Sequence, residues 1–235
     1  MLKKYSGKLY CFSPPVMLAT FLLEFGLATY TIWRYRLNTI SRLVLISLLC
    51  LGTFQLSEFM LCGGLGLGRT EWVQIGYVAI TLLPALGLHL TAALADKTKS
   101  AAVLIYIAYT TALAYATYFI LYGAQVIANQ CAPNYAIFDL SGNGYLFYGA
   151  YYYGWLLAAI ALAMHWAKRH PKKAPVLRWL VSGYAAFIVP TSLANMLDPT
   201  TIQAIPSIMC GFAVLFAIVL VWRILPLAKV PIKKH

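Results

Sequence analysis

The sequence predicts an all-α membrane protein: a single seven-transmembrane-helix bundle over residues 1–235, with its N-terminus outside and its C-terminus in the cytoplasm. Three observations carry that expectation. Hydrophobic residues make up 62% of the chain and charged residues only 10%, with a mean hydropathy of +0.75. The outer shell of a water-soluble domain needs far more polar surface than that. The apolar residues fall into separate runs of about 20, the length that crosses the hydrocarbon of a bilayer at the helical rise. The basic residues collect in alternate loops, as the positive-inside rule requires of a polytopic protein.

The runs cover 14–34, 41–61, 72–94, 101–122, 146–167, 176–196 and 204–225. The first follows "MLKKYSGKLYCFSPP", basic residues ahead of an apolar stretch, as in a signal peptide. It is too long for a signal-peptide core and lacks a small-residue cleavage site, so it reads as a retained first helix. "RYRLNTIS", "CGGLGLGRTE" and "DKTKS" are tight connections between helices 1–2, 2–3 and 3–4. "KRHPKKAP" and "DPTTIQAIP" use Pro as punctuation before helices 6 and 7. Only "GAQVIANQCAPNYAIFDLSGNG", between helices 4 and 5, is long. It reads as a lid over the outer mouth of the bundle. Within it "DLSGNG" resembles the start of a calcium loop, but the acid due twelve positions along falls at Ala150, so it reads as a turn. What remains outside the spans is too short for a soluble catalytic module, which would have to be another chain.

The formal net charge of +12 expresses topology rather than a nucleic-acid partner. Arg34, Arg36, Arg42, Lys97, Lys99, Lys168, Arg169, Lys172, Lys173, Arg178, Arg223, Lys229, Lys233 and Lys234 fall on one side; Lys3, Lys4, Lys8 and Arg69 fall on the other. No basic groove interleaved with base-stacking aromatics is present. Trp33, Trp72, Trp166, Trp179 and Trp222 sit at the expected interfaces. The cationic face suits anionic lipid heads, making membrane lipids one expected partner.

Cys11, Cys62 and Cys131 fall at or beyond the outer boundary. There a Cys62–Cys131 disulfide would pin the long loop to the top of helix 2, with Cys11 able to replace either partner. Cys50 and Cys210 lie within helices and read as apolar filler. No Cys/His spacing resembles a zinc site, and no metal or cofactor is expected.

Polar groups at membrane depth are costly and are functional suspects. Glu24 lies midway along helix 1, where it is expected to be neutral or paired. Gln55 and Glu58, three residues apart, share one face of helix 2. Gln74 begins helix 3, Tyr77 follows it, and Asn195 ends helix 6. Pro190 and Pro206 would free backbone carbonyls at similar depth, and the run "YGAYYYGW" adds phenols. Together they outline a polar pocket opening outward, with Glu58 and Gln55 as first ligand contacts and Gln74, Tyr77 and Asn195 behind them. Hydrogen bonding between helices explains the same residues more simply. His89 and His165, both near the cytoplasmic end, form a weaker pair that two helices offer to a haem. Every lysine lies outside the spans, which argues against a retinal Schiff base. Neither H-E-x-x-H nor G-x-S-x-G occurs, and no repeated halves with broken helices suggest a transporter.

"LNTISRLVLISLLCLGTFQLSEFML" followed by "EWVQIGYVAITLLPALGLHLTAALA" resembles the N-terminal seven-helix sensor region of bacterial histidine kinases. The matching residues are Asn38, Arg42, Glu58, Trp72, Pro84 and His89, and "IPSIMCGFAVLFAIVLVWRIL" is similar to the family's last helix. The resemblance implies a prokaryotic inner-membrane sensor. The chain departs from the family in carrying no stalk, phospho-accepting His box or ATP lid, which implies signalling through a separate cytoplasmic or membrane partner. The expected function is a non-enzymatic membrane sensor that recognises a small or lipidic ligand in the outer half of the bundle. The alternatives are an accessory or scaffold subunit of a larger membrane complex and a haem- or quinone-binding electron-transfer subunit.

Overall fold

The computed structural model describes residues 14–63, 69–131, 136–140, 144–198, 202 and 204–233. Seven helices in it are long and apolar enough to cross a membrane. They are α1 (Pro14–Arg34), α2 (Thr39–Gly63), α3 (Arg69–Leu94), α4 (Ala102–Val126), α5 (Gly144–Arg169), α6 (Ala174–Leu197) and α7, which begins at Ile205–Val219. α7 then passes through a π-helical turn, Leu220–Ile224, and closes with Leu225–Leu227.

The long α4–α5 connection contains an antiparallel hairpin that the apolar pattern did not suggest. Strand β1 (Ile127–Cys131) pairs with β2 (Ala136–Leu140), Ile127 opposite Leu140 and Cys131 opposite Ala136. The remainder of "DLSGNG" between Leu140 and Gly144 lies outside the described residues, as does the segment before Pro14.

α3 is the central helix. It touches α2, α4, α5 and α6, and 78% of its span is buried, against 22% for α1 and for α4. α7 closes the ring on the other side by touching α6, α1 and α2. Pro84 is buried in α3, where its ring removes a backbone donor and loosens the helix. Neighbouring groups occupy that turn: the Tyr151 hydroxyl donates to the Thr81 carbonyl at 2.6 Å, and the Tyr148 hydroxyl lies 3.0 Å from Thr81 Oγ1. The phenols of the "YGAYYYGW" run thus serve α3–α5 packing. Pro190 does lie inside α6, but Pro206 sits in the first turn of α7, where a missing N–H costs nothing, and breaks no span.

The ends of the helices are set locally. Asn38 caps α2: its Oδ1 accepts from the Ser41 amide at 3.0 Å while Ser41 Oγ accepts from the Asn38 amide at 2.8 Å, a reciprocal capping box. α3 closes with the Lys97 amide on the Ala92 carbonyl and the Asp96 amide on the Ala93 carbonyl, a Schellman arrangement that puts Asp96 at φ 55°. The end of α7 repeats it with Val230 on Leu225 and Lys229 on Pro226, and Lys229 at φ 53°. The tail beyond returns to α1. The Arg36 amide donates to the Pro231 carbonyl at 2.8 Å and the Lys233 amide to the Arg34 carbonyl at 3.0 Å, with Lys233 Nζ on the Ile32 carbonyl at 2.7 Å.

Leu22, Leu23, Phe25, Val103, Tyr106, Leu113 and Leu157 are among many large apolar side chains left on the outside. That suits a bundle whose solvent is lipid. Trp33, Trp179 and Trp222 are exposed as interfacial rings should be, whereas Trp166 is buried and belongs to the core.

Candidate functional site

α1 buries only a narrow stripe. Met17, Glu24, Leu27, Ala28 and Thr31 face the bundle at a spacing near 3.5 residues, while the intervening side chains face outward. Glu24 occupies the middle of that stripe and is 0% exposed. Opposite it α2 presents Gly52; a methyl group built there would stand 3.7 Å from Glu24 Cβ and 3.9 Å from its Oε2, ordinary contact distances, so the α2 backbone packs directly beside the Glu24 side chain. One and two turns further along α2 come Gln55 and Glu58, 2% and 1% exposed. Ser207, in the first turn of α7, hydrogen-bonds Glu58, and Cys210, one turn later, lies within electrostatic range of both acids. Glu24 and Glu58 also feel one another directly.

Three helices therefore bring two carboxyl groups, an amide, a hydroxyl and a thiol to one interior place. The hydrogen bonds there are incomplete: Glu24 Oε1 and Oε2, Gln55 Nε2 and Glu58 Oε1 are buried without a protein partner. Unmatched polar atoms at this depth are expensive, at about 1–3 kcal/mol each. Trp72 Nε1, on α3, is likewise buried without a protein partner, so what distinguishes this place is the approach of two carboxyl groups, Glu24 and Glu58, in one interior region. What the arrangement offers chemically is a cluster of acceptor oxygens with one amide, suited to a ligand that is cationic or carries several donors. Among the described residues no group of three or more His, Cys, Asp and Glu is placed to hold a metal ion.

The site is closed. Its residues are 2% exposed or less, so the outward-opening pocket expected from the sequence is an enclosed site in this conformation.

The other sequence candidates are distributed differently. Gln74 directs its amide across to α4, where Nε2 donates to the carbonyls of Phe119 and Ile120 at 3.2 and 3.1 Å. The ring of Tyr77 packs on Phe119 and Tyr148, centroids 4.8 and 5.6 Å apart, and Tyr148 in turn approaches Cys210. The aromatic cluster thus borders the acid site without supplying its acids. Asn195 is half-buried near the end of α6. His89 Nδ1 lies 3.2 Å from the Tyr109 hydroxyl, whereas His165 is exposed on α5; one ring is engaged between helices and the other faces outward.

Ser207, Cys210 and Gly52 are members of the site that the sequence did not mark, Cys210 having read as filler. The available signal was faint: a Ser and a Cys three residues apart at the start of an otherwise apolar helix.

Cys62 is disulfide-bonded, while Cys50 and Cys210 are free and buried. The side chains of Cys11 and Cys131, its two remaining candidates, lie outside those described. The bond sits at the end of α2 nearer Glu58, remote in sequence from the basic loops.

Fold and site together define the class: a bundle of seven helices long and apolar enough to span a membrane, with a buried polar cluster between α1, α2 and α7. No protein-family model matches the sequence, and no curated protein matches it.

The distribution of polar roles gives one direct expectation. Gln74→Leu removes two interhelical hydrogen bonds and should lower stability by about 1 kcal/mol, read as thermal unfolding in detergent. Ligand binding should be unaffected. A binding defect without a stability defect would move Gln74 into the ligand shell.

Proposed function

We propose that this chain is a non-enzymatic integral membrane sensor. It takes a small cationic or donor-rich ligand between α1, α2 and α7 and passes the resulting helix movement to a separate partner. The observation that carries the reading is the convergence of Glu24, Gln55 and Glu58, all buried and together holding four unpaired polar atoms. A ligand that supplies the missing hydrogen-bond partners recovers the cost of leaving them unmade, which is its source of affinity.

The disulfide at Cys62 and the basic loops support an orientation with the N-terminus outside and the C-terminus in the cytoplasm of a prokaryotic inner membrane. The likeness of "LNTISRLVLISLLCLGTFQLSEFML" to the sensor region of bacterial histidine kinases supports the same placement.

The signal path follows from α1. It is held by one narrow stripe and shares with α4 the smallest buried fraction of the seven spans, 22%, which favours its movement. Its inner end is hydrogen-bonded to the tail at Pro231 and Lys233. Opening at Glu24 would therefore displace residues 230–233 at the basic end. Such a response requires the ligand to bind the open packing better than the closed one.

A thermal-shift screen of purified protein against small amines, guanidines and amides tests this. A ligand present at 100 times its Kd stabilises by about 2.7 kcal/mol, which is readily seen. The shift should vanish in Glu58→Leu/Gln55→Met. A shift that survives this double variant would end the site assignment.

A further inference from the structure

The end of the bundle opposite the disulfide carries two adjoining pockets that no part of the sensor reading uses. One, of about 420 Å³, is lined by Asp96, Lys97, Arg169, His170, Lys172 and Lys173. The other, of about 390 Å³, shares Lys172 and Lys173, adds Lys229, and has an apolar wall that includes Ile40, Leu94, Val176 and Leu227. We propose that these pockets form a single site for the headgroup of an anionic phospholipid, with phosphate on the lysines and the upper acyl chain against the apolar wall.

Charge is the first argument. Five Lys and Arg side chains line the two pockets against one carboxylate, Asp96. That carboxylate is already engaged, with Lys173 Nζ 2.6 Å from Asp96 Oδ2. Nothing else in the lining neutralises Lys97, Arg169, Lys172 and Lys229. Basic pockets between helix ends are the usual seat of phosphate headgroups.

Preorganisation is the second. Asp96 and Lys229 both hold positive φ at helix-closing positions where Gly is preferred. For a lysine that conformation is strained by about 1–2 kcal/mol. The chain keeps an ammonium group at a place where Gly would relieve the backbone. It also fixes Lys173 through Asp96, between the two pockets.

Position chooses the lipid over a soluble anion. The pockets lie just past the ends of α3, α5 and α7 and the beginnings of α2 and α6, the level of the phosphate layer for helices of this length. The wall of Ile40, Leu94, Val176 and Leu227 is of no use to free phosphate.

The test uses the full chain in nanodiscs containing phosphatidylglycerol and phosphatidylcholine, with native mass spectrometry reading the lipid retained after detergent release. Wild-type protein should retain phosphatidylglycerol preferentially. Lys172→Gln/Lys229→Gln should lower that retention about tenfold or more, from roughly 1 kcal/mol per charge. Lys168→Gln/Arg178→Gln removes equal charge from the same end, outside the pocket linings, and should change it less than about threefold. Equal losses in both pairs would show diffuse surface attraction and overturn the site. Absence of any preference in wild type would do the same. Displacement of the lipid by inorganic phosphate would assign the pockets to a soluble anion instead. Matching melting temperatures for the two double variants exclude misfolding as the cause.

Discussion

Glu24→Met should make the protein more stable while abolishing its response to ligand. Both Glu24 oxygens are buried without partners, and an unmatched buried polar group costs about 1–3 kcal/mol. Met has a similar length, can occupy the place of the Glu24 side chain beside Gly52 and needs no hydrogen bond. For a chain of this size the gain corresponds to a melting temperature raised by about 3–10 °C. Glu24→Gln keeps a polar group in the same place and should leave the melting temperature close to wild type. Ser207→Ala should act in the opposite direction, lowering stability by about 1 kcal/mol, because it deprives Glu58 of its partner. The ordering of these three variants in one thermal-unfolding experiment is the test. A Glu24→Met protein that melts below wild type would mean that the carboxyl contributes to folding rather than to binding. Sites that bind at the expense of stability are a recurrent result of selection for function.

That trade-off also explains which parts of the molecule were legible in the sequence. The helices were, because lipid forces every backbone group to find its partner within the span and forces the span to be apolar. The run 14–34 became Pro14–Arg34, and 72–94 became Arg69–Leu94. Glu24, Gln55 and Glu58 stood out for the same reason, as polar residues in hydrocarbon. Their convergence was not legible, since it depends on α1 and α7 meeting α2 across long stretches of chain. Gln74 looked equivalent to Gln55 by sequence, yet one meets two α4 carbonyls and the other leaves its nitrogen unpaired. The β1–β2 hairpin was missed because "IANQC" and "AIFDL" are each short and weakly patterned. Pairing across the turn, rather than either strand alone, makes the element. The contact of Arg36 with Pro231 is invisible for a similar reason. It joins the turn after α1 to the C-terminal tail through backbone atoms, which leave no trace in residue type.

Cys62→Ser should remove about 2–4 kcal/mol of stability, the usual worth of a disulfide that closes a long loop. Reducing the wild-type protein should reproduce the loss. Partner assignment follows by comparison. If Cys131 is the partner, Cys131→Ser melts like Cys62→Ser, and Cys11→Ser melts like wild type. The reverse pattern would assign Cys11 and release the α4–α5 hairpin from α2. The same bond reports topology. In intact cells a membrane-impermeant phosphine should reduce it, because a disulfide persists on the oxidising side of the membrane, and Glu58 then lies in the outer half. Resistance to that reagent in intact cells, with reduction after lysis, would place Cys62 inside. It would also turn the basic end outward, against the distribution of Arg34, Lys97, Lys172 and Arg223. The binding site would remain between α1, α2 and α7, but its ligand would have to come from the cytoplasm.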